Sequence, residues 1–202
     1  MADPDAQLAA RCRSGDRAAL ELLFRRYVDR VWRYGWFVTR SREAAAEIVQ
    51  ETFLRVVKSV GGFEGRSTFA TWLFALTRSA AMEFLRRERQ EKRHRLDSGS
   101  LRLVTADEVR EIRRDLNEVA SESEGEESHG ALQKAFAELS GGQRDAVVLC
   151  ELAGMSIAEA AEVLGWSKPR VKVTLFRARR RLREILTARA ANEAKSQCEK
   201  QT

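Results

Sequence analysis

The sequence predicts an all-α protein made of two small helical domains joined by a flexible acidic linker, the second domain being a helix-turn-helix. Its 202 residues suffice for one or two small domains. The chain is rich in Ala, Leu, Glu and Arg, which are good helix formers. Its only prolines are Pro4 and Pro169, so no proline breaks a helix between them. No run of Val, Ile and Thr alternates at the two-residue period of a strand.

Apolar spacing and capping residues predict three helices in the first domain, residues 1–95. Ser41 is suited to cap the second helix, and Gly61 and Gly62 end it. After a loop that begins at Phe63, Ser67 or Thr68 caps the third helix. The first two predicted helices span residues 16–39 and 42–60. The third runs from this cap through 84–85 to a basic C-terminal end at residues 86–95.

Capping boxes and glycine stops predict the helix-turn-helix in the second domain, residues 131–190. Ser140 and Ser156 each begin a capping box, with Gln or Glu three residues further on. Gly165 ends the short second helix, and Ser167 caps a longer basic helix. A short helix, a turn that contains glycine and a longer basic helix are typical of DNA-binding helix-turn-helix proteins.

Charge is distributed unevenly along the chain, although its net value is +6. Residues 96–130 contain 10 acidic and 4 basic residues, whereas both flanking parts are basic. Residues 118–130 combine acids, Ser and Gly with almost no bulky apolar side chain, so they cannot bury enough surface to offset the entropy of ordering. We therefore interpret residues 96–130 as a flexible linker, and the polar residues 191–202 as a disordered tail.

Two basic surfaces indicate a nucleic acid as the partner. Six basic residues lie between 86 and 95, more than the dipole of a helix C-terminus requires. On the last helix, we assign base contacts to Lys168, Arg170 and Thr174 because N-terminal residues of a recognition helix reach base edges. The residues that we assign to phosphate contacts are Lys172, Arg177, Arg179 and Arg180.

Composition excludes several other function classes. No apolar run reaches the roughly 18–20 residues of a membrane helix, so we expect no membrane insertion. The acidic N-terminus lacks the apolar core of a secretory signal, and three widely separated cysteines suit a reducing cytoplasm. With only two histidines, a His-built metal site or a Ser-His-Asp triad is not expected. We expect no cofactor, no metal and no catalytic residue.

Three motifs, in this order and with a linker between the second and the third, resemble those of a known family. They are Glu47-Ile-Val-Gln-Glu-Thr-Phe-Leu54, then Phe69-Ala-Thr-Trp-Leu-Phe-Ala-Leu76 with Phe84-Leu-Arg-Arg87, then Ser156-Ile-Ala-Glu-Ala-Ala-Glu-Val-Leu-Gly165 with Arg177-Ala-Arg-Arg-Arg-Leu182. The chain resembles an extracytoplasmic-function (ECF) sigma factor of bacterial RNA polymerase, in the sigma-70 family. Such a factor has no catalytic site and makes core polymerase promoter-specific. An anti-sigma factor is a common partner in that family.

The resemblance also implies residue roles. The residues placed against the β′ clamp helices of core polymerase are Glu47, Gln50, Glu51 and Leu54. Those placed at the minus-ten element, where an unstacked base is captured, are Phe63, Arg66, Ser67, Thr68, Arg78, Ser79, Arg86, Arg87 and Arg89. Those placed at the minus-thirty-five element, in the domain that meets the β flap, are Ser167, Lys168, Arg170, Lys172, Thr174, Arg177, Arg179, Arg180 and Arg181. The chain departs from the usual family residues at Ser79, Pro169-Arg170 and Val173-Thr174.

Two alternatives remain open from the residues alone. A stand-alone helix-turn-helix regulator would explain the second domain but would leave the basic first domain unused. A stand-alone regulator binds duplex DNA by itself, whereas a sigma factor needs core enzyme. An enzyme is the third class, because Glu47 and Glu51 lie one helical turn apart and could share a metal ion. No third ligand accompanies them in the sequence.

Overall fold

A computed structural model describes residues 4–98 and 135–199, and within these ranges the regular structure is helical. Most of the predicted linker, together with its expected flexibility, lies outside the described residues. The helices are α1 (Pro4–Arg13), α2 (Arg17–Thr39), α3 (Arg42–Ser59), α4 (Phe69–Ser98), α5 (Gly141–Val147), α6 (Ile157–Leu164) and α7 (Lys168–Glu199). A 3-10 turn, Val60–Gly62, follows α3, and a π turn, Val148–Leu152, continues α5.

Side-chain caps begin the helices of the first half of the chain, at Ser41 as predicted and also at Asp16. The carboxylate of Asp16 accepts a hydrogen bond from the backbone N–H of Ala19 at 3.1 Å, which begins α2. The hydroxyl of Ser41 accepts one from the N–H of Ala44 at 3.1 Å, which begins α3. Each cap satisfies a donor that has no partner within its helix. The predicted bounds of these two helices are confirmed to within a residue.

Helix α1 is an element that the sequence analysis missed. Pro4 occupies its first position, where the missing N–H costs nothing. The buried carboxylate of Asp5 accepts hydrogen bonds from the Tyr27 hydroxyl and the Arg26 guanidinium of α2. This long-range tie, and the burial of Ala9, hold α1 against the bundle. Neither feature has a local signal in the sequence.

Helices α2, α3 and α4 form a bundle around a core that includes Leu23, Ile48 and Phe74. Gly35 of α2 lies against α3 so closely that a Cβ atom on it would stand 3.0 Å from the Cα of Ala45. The absence of a side chain at Gly35 therefore allows α2 and α3 to pack closely. This packing outweighs the unfavourable helix propensity of glycine, which is about 1 kcal/mol relative to Ala.

The second half folds as the predicted helix-turn-helix. Both capping boxes are present, at Ser140 and at Ser156. Gly165 ends α6 in the left-handed conformation at φ 64°, which glycine adopts without strain. Helix α4 continues to Ser98, three residues beyond the predicted domain end, and the backbone of α7 is helical to Glu199. The Ala, Glu, Lys and Gln content of the segment after residue 190, which has no Gly or Pro, favours helix continuation there.

The two halves pack against each other, and their buried apolar residues form one continuous cluster. The rings of Phe37 and Phe136 meet with centroids 4.6 Å apart. The guanidinium of Arg144 donates to the carbonyl oxygen of Val38 at 3.1 Å. The sequence analysis treated the halves as separate domains and contained no signal for this packing.

The close approach of α2 and α3 generates a stability prediction. Gly35→Ala should destabilise the protein by about 1–3 kcal/mol, because the added methyl group overpacks the contact with Ala45. Gly141→Ala is the matched control, because nothing lies within 4 Å of a Cβ at that position. The measurement is the free energy of unfolding in urea. Equal stability of the two variants would contradict the packing role of Gly35.

Candidate polymerase and nucleic-acid interfaces

A groove of about 790 Å³ runs between α3 and α4 and contains all four residues predicted to contact polymerase. Glu47, Gln50 and Glu51 supply a polar rim of carboxylate and amide groups. Leu54 lies beside them with 46% of its surface exposed. Phe84 of α4 also lines the groove, so the surface combines acidic groups with apolar contacts, which suits a polar partner surface with an apolar centre.

An ion-pair network holds the groove together. Arg55 donates to Glu51 at 2.7 Å and to Glu83 at 2.5 Å, which joins α3 to α4. These hydrogen bonds raise the pKa of the Arg55 guanidinium, so its charge is permanent. Sequence reasoning missed Arg55 and Glu83, because their partnership depends on helix packing and not on a motif.

Two residues predicted at the minus-ten surface lie at this groove in the structure. The guanidinium of Arg87 pairs with the carboxylate of Glu47. The hydroxyl of Ser79 accepts a hydrogen bond from Arg55 at 3.1 Å. The sequence placed Arg87 with its basic neighbours, but one turn of helix directs successive side chains to different faces. Arg86 and Arg89, also predicted at the minus-ten surface, are exposed.

The predicted base-capture loop precedes α4 and is anchored by an aromatic cluster. Phe63 is only 6% exposed and packs on the rings of Phe69 and Trp72, with centroids 5.7 and 5.2 Å away. Its ring lies in the core of this arrangement, and its contact with DNA stays a prediction. Phe63 fixes the loop, while Arg66 is exposed and pairs with Glu64.

The loop faces the helix-turn-helix across a cleft of about 880 Å³. Ser67 and Thr68 line one wall, and Ser167 and Lys168 at the start of α7 line the other. The Thr68 hydroxyl donates to the carboxylate of Glu159 at 3.1 Å. Burial tends to raise the pKa of Glu159, but hydrogen bonds from Ser156 and Thr68 outweigh it and lower that pKa. The structure thus brings the two predicted DNA surfaces together.

Arg78, predicted to hold the DNA backbone, is paired across the interface between the halves. Its guanidinium lies 3.3 Å from the carboxylate of Asp145, which also accepts a hydrogen bond from the Tyr34 hydroxyl at 3.1 Å. Burial raises the pKa of Asp145, and the neighbouring charge of Arg78 opposes this effect. Burial and the adjacent Asp145 raise the pKa of Tyr34, so its hydroxyl remains a donor.

The outer face of α7 carries most of the residues predicted at the minus-thirty-five element. The hydroxyl of Ser167 accepts from the N–H of Arg170 at 3.4 Å and begins the helix. The Arg170 guanidinium stacks over the Trp166 ring at 4.2 Å, which orients it. The other exposed members of the set are Lys168, Lys172, Arg177, Arg179, Arg180 and Arg181.

Three residues of α7 that were predicted to face DNA are either partly buried or paired with acidic residues of the same half. Thr174 is half-buried, because its position lies at the edge of the face that packs inward. Arg179 pairs with Glu151, with Nε at 3.0 Å, and Arg181 pairs with Glu138 at 3.1 Å. These two ion pairs hold α7 against the other elements of the second half of the molecule. Val173, noted in the sequence only as a departure from the family, and Phe176, which was given no role, are both exposed on this helix.

The described residues include neither a cluster of side chains that could bind a metal ion nor a helix that could span a membrane. No three His, Cys, Asp or Glu side chains among them lie close enough to hold a metal ion. No described helix is both long and apolar enough to cross a bilayer.

Two families of known proteins match this chain in the order of its two halves. Sigma-70 region 2 matches residues 23–91, and Sigma-70, region 4 matches residues 129–182. The first match covers most of α2, all of α3 and most of α4, and the second covers the helix-turn-helix.

Individual relatives and solved structures agree with these matches. The chain is 30% identical over 182 residues to the ECF RNA polymerase sigma factor SigM of Mycobacterium tuberculosis, covering 90% of this chain and 84% of SigM. It is 30% identical over 182 residues to the ECF RNA polymerase sigma factor BldN of Streptomyces coelicolor, covering 89% of this chain and 65% of BldN. CnrH, solved in complex with the cytosolic domain of CnrY, has a TM-score of 0.63 and 26% identity, covering 91% of this chain and 97% of that chain. The chain therefore belongs to the ECF sigma factors of the sigma-70 family.

Proposed function

We propose that this ECF sigma factor divides promoter-specific transcription initiation among the three surfaces described above. The α3–α4 groove binds core RNA polymerase. The loop before α4, with the exposed arginines of that helix, engages the minus-ten element. The outer face of α7 engages the minus-thirty-five element, and its half of the chain meets the β flap. We place this activity in the bacterial cytoplasm, where RNA polymerase works.

The observation that carries the proposal is the meeting of four predicted polymerase contacts in one groove. Glu47, Gln50 and Glu51 surround the exposed Leu54, and Arg55 braces the two helices beneath them. A stand-alone regulator does not require a polymerase-binding groove outside its DNA-binding helices. The groove thus supports a sigma factor over the alternative of an independent regulator.

Engagement of the minus-ten element requires the two halves to separate. Thr68 is bonded to Glu159, and Arg78 is paired with Asp145. A DNA strand that used these two side chains would replace both partners, which belong to the helix-turn-helix half. Binding energy from polymerase and promoter must therefore compensate for the lost contacts between the halves.

A polypeptide inhibitor is a further partner that we propose. CnrH was solved with CnrY, and RpoE of Bartonella quintana, which has the same TM-score of 0.63 at 24% identity, was solved with the anti-sigma factor NepR. An anti-sigma factor that bound this chain in its packed arrangement would keep Arg78 and Thr68 away from DNA. The same partner would have no effect on a stand-alone duplex-binding protein that uses α7 alone.

Run-off transcription tests the proposed function. Core polymerase with this chain should initiate at defined positions on genomic fragments, and core polymerase alone should not. The chain alone should not bind the same duplex fragments tightly, because α7 is then the main DNA-binding surface and Thr68 and Arg78 are bonded to the other half of the chain. Tight, specific duplex binding without polymerase, together with no initiation in its presence, would favour the stand-alone regulator.

Leu54→Asn tests the docking surface. It should weaken the affinity for core polymerase by about tenfold or more, because a polar amide replaces an apolar contact that becomes buried on binding. Leu22→Asn is the matched control, since Leu22 is 50% exposed on α2 and does not line the groove. Both variants should keep the wild-type free energy of unfolding to within about 0.5 kcal/mol. Equal losses of polymerase affinity in the two variants would contradict the assignment of the groove.

A further inference from the structure

The outer face of α7 carries an apolar ridge that the basic residues around it do not explain. Val173 is 48% exposed and Phe176 is 68% exposed, the largest exposed fraction among the large apolar side chains of the described residues. Single exposed apolar residues are common, but these two lie three positions apart and adjoin on one helix face. Together they form a small ridge, Val173–Phe176.

The ridge occupies the centre of the exposed face. The side of α7 that packs inward is marked by Val171, Leu175 and Ala178, all of which are buried. Val173 and Phe176 lie on the opposite side, in one stripe with Arg177 and Arg180 at the i, i+3, i+4, i+7 spacing of a helix face. Thr174 lies closer to the inward side, which agrees with its partial burial.

The charges around the ridge identify its occupant as DNA. Four exposed cations surround it, namely Arg170, Lys172, Arg177 and Arg180. A protein that covered the ridge would have to desolvate or pair these cations, at a cost that a small apolar contact does not offset. On a duplex, the same cations meet phosphates while the centre of the helix faces the base edges.

We infer that Val173 and Phe176 select thymine in the upstream promoter element by contact with its C5-methyl group. That methyl group is the apolar feature that base pairs present in the major groove, and Phe is among the side chains suited to it. The inference rests on the proposed role of α7 at the minus-thirty-five element and adds a base preference to it. Among the residues that the sequence analysis assigned to base contacts, Lys168 and Arg170 offer cationic groups, and Thr174, which carries a methyl group, is half-buried.

The test uses the complete sigma factor with core polymerase. Transcription from a promoter library randomised at the upstream element first identifies the preferred bases, and thymine is expected at one or more positions on either strand. Deoxyuridine then replaces thymine at each such position, which removes only the methyl group. Promoter use by the wild-type protein should fall about fourfold for each contacted methyl group.

Three variants attribute the effect to the ridge. Phe176→Ala should lose the greater part of the discrimination between thymine and deoxyuridine promoters, with Val173 accounting for the remainder. Phe176→Leu should lose less of it than Phe176→Ala, because it keeps an apolar contact. Leu186→Ala is the control on the same helix and should discriminate as the wild type does, because Leu186 is exposed off this stripe. Circular dichroism and light scattering would report the helical content and oligomeric state of each variant.

Several results would overturn the inference. Equal use of thymine and deoxyuridine promoters by the wild type would exclude methyl contacts, and full discrimination by Phe176→Ala would exclude Phe176. A change in oligomeric state in Phe176→Ala, without a change in base preference, would identify the ridge as a contact between copies. Absence of promoter-specific initiation by the wild type would instead contradict the proposed function on which the inference rests.

Discussion

The carboxylate of Asp145 lies at the contact between the two halves of the molecule, and the arrangement of both DNA surfaces depends on it. It is 5% exposed and is held by Arg78 and Tyr34, both from the other half. An isolated buried carboxylate is strongly unfavourable, so this position of the helix-turn-helix is stable only with both partners in place. Removal of one partner of such a buried pair costs about 3–5 kcal/mol. The interaction therefore specifies how the halves pack as well as stabilising them.

This packing divides the functional surfaces into two groups. The contacts of Arg78 and Thr68 occupy part of the surface assigned to the minus-ten element. The α3–α4 groove and the outer face of α7 remain exposed, as Leu54 and Phe176 indicate. Under the proposed function, polymerase or upstream DNA binds first, and Arg78 and Thr68 contact the minus-ten element only after the halves separate. The order of these binding events then depends on which surfaces are exposed and which become available only when the contacts between the halves break.

The features that could be predicted from the sequence are those that local interactions determine. Caps at Ser41, Ser140 and Ser156 act within three residues of the helix that they begin, so their effect is visible in the sequence. The pairing of Asp5 with Tyr27 and of Tyr34 with Asp145 joins residues distant in the chain, and no local pattern indicates either. The four polymerase contacts that the resemblance implies line one groove, and their role stays a prediction. The burial of Phe63 could not be foreseen, because a motif does not reveal whether a side chain is exposed.

The distance between the halves in solution tests the central role of Asp145 most directly. Spin labels on cysteines introduced by Lys58→Cys in α3 and Arg183→Cys in α7, with the three native cysteines replaced, would report it by pulsed electron resonance. The wild-type protein should give one narrow distance distribution, and Asp145→Ala should give a broad one shifted to longer distances. Glu184→Ala removes the exposed ion pair with Arg180 and should leave the distribution unchanged. A narrow, unshifted distribution for Asp145→Ala would contradict the account.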